Sequence, residues 1–179
     1  MKTVFNNYPT LIQAWLSGHY DSGRTSATMS WYTHEMVTRL FFEGEHLYSY
    51  GKHYELARMV KGGDVILITS DNYSKTTQKH KRILDRELHG RGRRIYTVSE
   101  IGWDHRTVEG YKIRIQHSLS NAIKCRASWK LRIHLSIARS LVHEADRYIK
   151  EFDMEPDNRI QWLLKYQDNM LIDKGIIII

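Results

Sequence analysis

The stretch Met36-Val37-Thr38-Arg39-Leu40-Phe41-Phe42-Glu43-Gly44-Glu45-His46-Leu47-Tyr48-Ser49-Tyr50 decides how the chain is read. Two runs rich in β-branched and aromatic residues flank Glu43-Gly44, a turn signal. A third run, Val65-Ile66-Leu67-Ile68-Thr69, follows a second turn signal, Lys61-Gly62-Gly63-Asp64. Residues 27 to 32 read as a further strand. Together these segments predict a small antiparallel meander over about residues 27 to 70.

On both sides of the meander the period lengthens. Residues 8 to 17 read as a short helix with Leu11, Ile12, Trp15 and Leu16 on one side. Residues 18 to 26, rich in Gly and Ser, read as a loop. Residues 74 to 88 read as a helix carrying Ile83, Leu84 and Leu88, stopped by His89-Gly90-Arg91-Gly92-Arg93-Arg94. Residues 95 to 98 are a candidate last strand. From about residue 107 the chain is mostly helical. Leu131, Leu135, Ala138, Val142, Ala145, Ile149 and Phe152 recur at steps of four and three, one stripe of a long helix. That stripe is expected to pack on the sheet or a neighbouring helix; a coiled-coil dimer is the other reading. Ser128 is the candidate N-cap. Pro156 breaks the helix, and a last helix is expected over about residues 158 to 170, with Ile160, Leu163, Leu164 and Trp162.

The expected fold is therefore α+β: a small antiparallel sheet with packed helices, followed by a mainly helical C-terminal half. A single domain over residues 1 to 179 is expected, with a sheet-containing part at about 27 to 100 and a helical part at about 105 to 173. The chain has 179 residues, 41% hydrophobic and 26% charged, which excludes a collagen-like, low-complexity or wholly disordered chain. The N-terminal residues lack the apolar run of a secretory signal. No stretch approaches the ~18 apolar residues of a membrane span. A membrane partner is not expected. The lone Cys125 excludes an internal disulfide and Cys-rich zinc sites, and suits a reducing compartment. The final Ile176-Ile177-Ile178-Ile179 is expected to pack as an edge strand or as a homo-oligomer contact, with partial disorder as the other reading.

The net charge is +7, and its distribution carries more than its total. Residues 79 to 143 hold 15 Lys+Arg against five Asp+Glu, while the rest of the chain has a small acidic excess. Residues 111 to 143 contain seven basic residues (Lys112, Arg114, Lys124, Arg126, Lys130, Arg132 and Arg139) and no acid. One cluster is Lys79, Lys81, Arg82, Arg86, Arg91, Arg93 and Arg94, on a helix end and the Gly-flanked loop behind it. Arginine forks and close-approaching glycine backbone suit phosphates. A second cluster is the polar face of the long helix, with Arg132, Arg139, His143, Arg147 and Lys150, able to follow a nucleic-acid backbone or simply to be solvated. The candidate nucleic-acid contacts are Lys79, Lys81, Arg82, Arg86, Arg91, Arg93, Arg94, Lys112, Arg114, Arg132 and Arg139. The aromatics of the β region, Trp31, Tyr32, Phe41, Phe42, Tyr48, Tyr50 and Tyr54, are base-stacking candidates if they are not core.

A second pattern joins Tyr48-Ser49-Tyr50-Gly51-Lys52-His53-Tyr54-Glu55-Leu56-Ala57 to Asn72-Tyr73-Ser74-Lys75-Thr76-Thr77-Gln78-Lys79-His80. Ser74 suits an N-cap, with Thr76 and Thr77 in the first turn. Free amides and the helix dipole there favour an anion, which makes Ser74, Thr76, Thr77 and His80 a candidate phosphate site. The structural alternative is that the hydroxyls satisfy local amides and His80 holds the turn at residues 48 to 54 by a hydrogen bond. His53, His80, Tyr73 and Lys79 also assemble, on paper, into metal-free acid–base chemistry on a phosphodiester. Their spacing fits no known catalytic motif, so no catalytic residue, metal or cofactor is assigned.

These same two segments resemble an uncharacterised domain of small bacteriophage-encoded proteins. Its pattern is an S-Y-x-T/H turn with an I/L-A step, a strand, then Y-S-x-T-T-x-x-H. The resemblance covers roughly residues 38 to 84. It implies a phage or phage-like origin and hence the bacterial host cytoplasm, but carries no established activity. The expected function is a non-enzymatic, phage-type accessory protein binding DNA or RNA through a basic face. The alternatives are an anti-defence or host-takeover inhibitor gripping an acidic host protein, and a small metal-free nuclease.

Overall fold

The structure is a computed structural model that describes residues 3–29, 34, 36–71, 73–102 and 104–166. They fall into two compact units, Met1–Gly102 and Trp103–Ile179.

The first unit begins with β1 (Thr3–Phe5), α1 (Tyr8–Ser17) and β2 (Ser22–Thr25). Pro9 sits in the first turn of α1, where a missing amide costs nothing. The Asn7 side chain accepts from the Thr10 N–H at 2.9 Å, and left-handed Gly18 (φ 66°) ends the helix. β1 pairs parallel to β2, so α1 is a crossover. β3 (Thr28–Met29) and β4 (Met36–Val37) form a separate antiparallel pair. β5 (Leu40–Glu43), β6 (His46–Ser49), β7 (Glu55–Val60) and β8 (Val65–Thr69) follow as an antiparallel meander. α2 (Lys75–Leu88) then crosses over to β9 (Arg94–Val98), which runs parallel to β8.

The α+β class is as expected, but the sheet is neither small nor purely antiparallel. It has seven strands in the order β1-β2-β5-β6-β7-β8-β9. The meander forms its middle, and a β-α-β unit with a parallel pair stands at each end. β2 lies inside the segment expected to be a loop. Its Ser-Gly-Arg-Thr sequence has no apolar alternation because the ring atoms of Phe5 and Phe42 fill the space over Gly23. A Cβ there would lie 2.5 Å from Phe5 and 2.6 Å from Phe42. The strand expected at residues 27 to 32 is Thr28–Met29 of the separate pair; residues 30–32, with Trp31 and Tyr32, lie outside the described residues.

α1 and α2 pack against each other over one face of the sheet. Leu11, Ile12, Trp15 and Leu16 meet Leu40, Phe42, Leu47, Leu56, Ile66 and Leu84 there, all essentially without exposure. Transfer of such side chains from water is worth roughly 1.5–3 kcal/mol each, and this is the main force closing the unit.

The second unit comprises α3 (Asp104–Lys124), α4 (Ser128–Glu151) and α5 (Asn158–Tyr166). α3 and α4 form an antiparallel hairpin, pinned where Ser118 Oγ donates to His134 O at 2.8 Å and Tyr111 Oη donates to Glu144 Oε1 at 2.8 Å. Along the expected stripe, Leu135, Ala138, Val142, Ala145 and Ile149 are buried. The hairpin core also holds Tyr111, Ile115, Leu119 and Ala122 of α3. Ser128 does not cap: it is the first residue of α4, and Ala127 stands at the cap position without a side-chain bond. In α5, Ile160 and Leu163 are buried, but Trp162 is 43% exposed. The expected end of this helix at residue 170 and the tail Ile176 to Ile179 lie outside the described residues. No helix among the described residues is long and apolar enough to cross a membrane.

Candidate nucleic-acid interface

The start of α2 is built as a self-satisfied cap. Ser74 Oγ accepts from the Thr77 N–H at 3.1 Å and shares a 3.0 Å bond with Thr77 Oγ1. Thr77 is buried, and Thr76 is half-buried. His80, one turn on, has no exposed surface; its Nδ1 lies 2.9 Å from Ser49 Oγ. The ring packs edge-on to Tyr8 at 4.6 Å and tilted against Tyr50 at 6.2 Å. Burial lowers the His80 pKa to about 4, helped by the charges of Lys79 and Arg39, so the ring is neutral at neutral pH. Ser74 and Thr77 thus close the first turn of α2 on itself, while His80 ties the helix to Ser49 at the end of β6 and brings no positive charge to the helix start. This is the turn lock that the sequence offered as the alternative to a phosphate site.

The four residues that the sequence could assemble for acid–base chemistry do not converge. His53 packs edge-on to Tyr73 at 6.2 Å, whereas His80 is sealed against Ser49. No group of three or more His, Cys, Asp or Glu among the described residues is placed to hold a metal ion.

The basic residues of the first unit divide into two kinds. Arg93 Nη2 donates to Leu16 O at 2.6 Å and Nη1 reaches Met59 Sδ at 3.2 Å. It therefore neutralises the carbonyl end of α1, where a cation is favoured by the helix dipole. Lys81 donates to Asp71 O, and burial lowers its pKa against the pull of Asp71 and Asp85. Tyr54 Oη donates to the same carbonyl at 2.6 Å, its pKa raised to about 12 by burial. Arg91 Nε closes the end of α2 by donating to Glu87 O at 2.6 Å. Arg93, Lys81 and Arg91 are thus each engaged by a backbone carbonyl of the fold. Lys79, Arg82, Arg86 and Arg94 are exposed. Lys79 Nζ stands 6.0 Å from the Tyr8 ring centre, Arg86 lies 3.6 Å from Glu87, and Arg82 has no acidic partner among the described residues.

The sheet face opposite α1 and α2 carries Phe41 stacked on Tyr48 at 5.1 Å, with His46 parallel to Tyr48 at 6.0 Å. Glu55 lies beside them, bonded to His46 at 2.7 Å and to Arg58 at 2.6 Å. Burial and the carboxylates of Glu55 and Glu43 raise the Tyr48 pKa. Lys52 pairs with Glu43 at 2.5 Å and Arg58 with Glu55, so the cations of this face are already engaged by carboxylates. Phe42 is wholly buried and Tyr54 nearly so, which makes both core residues.

In the second unit, Lys112 is clamped between Glu109 at 2.7 Å and Asp157 at 3.1 Å. Arg114 is half-buried over the Tyr111 ring at 5.4 Å, and Arg139 is half-buried. Arg132 is exposed. At the turn of the hairpin, Lys124, Arg126 and Lys130 are exposed as well. All three belong to the acid-free run but not to the candidate contacts named from the sequence. The signal for them was the helix boundary at residues 125 to 127, which turns three cations outward at one end.

The chain matches no protein-family model, no curated protein and no solved structure. What it does therefore rests on the geometry above.

Proposed function

We propose that the protein binds nucleic acid, mainly through phosphates, using the exposed cations of α2 and of the α3–α4 hairpin. The observation that carries this reading is the acid-free run of residues 111 to 143, whose Lys124, Arg126, Lys130 and Arg132 all face solvent at one hairpin. Arg82 and Arg86 add a second basic surface on the first unit. Exposed cations gain little from one another and repel, so their concentration suits an anionic partner. Lys81, Arg93 and Lys112 leave the candidate contact set, because their cationic groups are already engaged within the fold. The role fits a non-enzymatic accessory protein of phage type acting in the bacterial cytoplasm, in line with the resemblance of residues 38 to 84.

The test is fluorescence anisotropy of a labelled single strand and duplex of about 20 nucleotides at several salt concentrations. Log affinity is expected to fall linearly with log salt, by about 0.7 per phosphate contacted on a single strand. Lys124→Glu, Arg126→Glu and Arg132→Glu combined should abolish binding while leaving the thermal unfolding midpoint within a few degrees. Absence of binding at low salt overturns the reading. It would favour the second one, a grip on an acidic host protein, which the isoleucines exposed beside these cations also suit.

A further inference from the structure

The α3–α4 hairpin exposes more than charge. Trp129, in the first turn of α4, is 58% exposed, and Ile133 and Ile137 continue from it at steps of four with 48% and 45% exposure. On the α3 side of the turn Ile123 is 60% exposed. Large apolar side chains left in water at adjacent positions of one helix face mark a contact surface. Lys130 Nζ lies 5.4 Å from the Trp129 ring centre, and Lys124, Arg126 and Arg132 are the neighbouring exposed charges. No carboxylate occurs anywhere in residues 111 to 143. A second copy of this surface is a poor occupant, since it would bring like charges together with nothing to offset them. Duplex phosphates would engage the cations but leave the indole and the isoleucines in water. A single strand presents both chemistries together, phosphates along the backbone and unstacked bases with free π faces.

We infer that Trp129 is a base-stacking platform that makes this hairpin a single-strand site. Trp129 takes a base, Ile133 extends the apolar floor, and Lys124, Arg126, Lys130 and Arg132 hold the flanking phosphates. The inference rests on the nucleic-acid reading above and narrows its ligand to single-stranded DNA or RNA.

The experiment uses the full chain with a labelled 20-nucleotide oligothymidine, a duplex of the same length, and vesicles containing 30% phosphatidylglycerol. Trp129→Ala should weaken single-strand binding about tenfold or more, the usual effect of removing one stacked aromatic. Duplex binding and the salt slope should stay as in the parent, because no cation is lost. Trp129→Phe should restore most of the single-strand affinity, and oligothymidine should quench less of the tryptophan fluorescence in Trp129→Ala than in the parent. If Trp129→Ala binds the single strand as the parent does, the platform is overturned while the nucleic-acid reading stands. If the parent binds neither strand, both fail. If Trp129→Ala loses only vesicle binding, the face is a lipid-contacting surface and the inference is overturned.

Discussion

Ser49 and His80, 31 positions apart in the chain, meet in a buried hydrogen bond of 2.9 Å between Oγ and Nδ1. The bond joins the end of β6 to the second turn of α2. The other ring nitrogen, Nε2, is buried without a hydrogen-bond partner among the described residues. A neutral ring tolerates that position; an imidazolium, with two N–H groups to satisfy, does not.

Stability should therefore fall in mild acid. His80 has a folded pKa of about 4 against an ordinary 6.5, so the unfolded chain binds the extra proton first. Between these values unfolding takes up a proton, and stability rises with pH. The contribution is complete above about 6.5 and lost as pH drops towards 4, a change of roughly 3 kcal/mol. Urea denaturation at pH 7, 5.5 and 4.5 measures it. His80→Gln should flatten the slope over this window; an unchanged slope would assign the acid sensitivity to other groups.

Arg93 and Arg82 should separate structure from binding. Arg93→Met removes the donor to Leu16 O and should cost about 1–3 kcal/mol of stability. Arg82→Ala, at an exposed site, should stay within about 0.5 kcal/mol. Oligonucleotide affinity should respond in the opposite sense, weakening for Arg82→Ala and staying level for Arg93→Met. Chemical denaturation paired with anisotropy on both variants checks this, and a loss of affinity in Arg93→Met alone would reverse the assignment.

Asp157 should be the latch of α5. Its Oδ1 accepts from the N–H groups of Arg159 and Ile160, both at 3.0 Å, and its Oδ2 from Lys112 at 3.1 Å. Burial pushes its pKa up, but the Ile160 amide and Lys112 outweigh that and hold it below the ordinary range. The stabilisation is thus present above the ordinary carboxylate pKa and lost as pH falls through the lowered one. Asp157→Ala should cost about 1–2 kcal/mol, while Asp157→Asn, which keeps the cap and loses the ion pair, should cost less. Thermal unfolding of both at pH 7 gives the comparison; equal losses would put the whole effect on the ion pair.

Much of the fold was legible in local sequence. Helix α1 shows in the spacing of Leu11, Ile12, Trp15 and Leu16, helix α2 in Ser74 followed by Leu84 and Leu88, and α4 in its stripe from Leu135 to Ile149. The meander shows in its aromatic and β-branched runs. These signals are local because a helix or hairpin satisfies its own backbone within a few residues. Strand β2 was not legible: its burial is set by rings from Phe5 and Phe42, 18 and 19 residues away, which demand a glycine rather than an apolar side chain. The parallel pairings of β1 with β2 and β8 with β9 were hidden for the same reason, since a crossover leaves no turn signal.

The candidate interface divides in the same way. The amount of positive charge and its concentration between residues 79 and 143 can be read from the chain unfolded, because charge is a property of composition. Composition cannot distinguish a cation bonded to a carbonyl from one left in water. Folding makes that distinction: Arg93 closes α1, Lys81 holds the carbonyl of Asp71, and Lys124, Arg126 and Lys130 stand outside with Trp129. Distance separates the two cases. A carbonyl at a helix end or a partner carboxylate acts over about 3 Å, and residues 77 positions apart reach that separation only when the chain is folded.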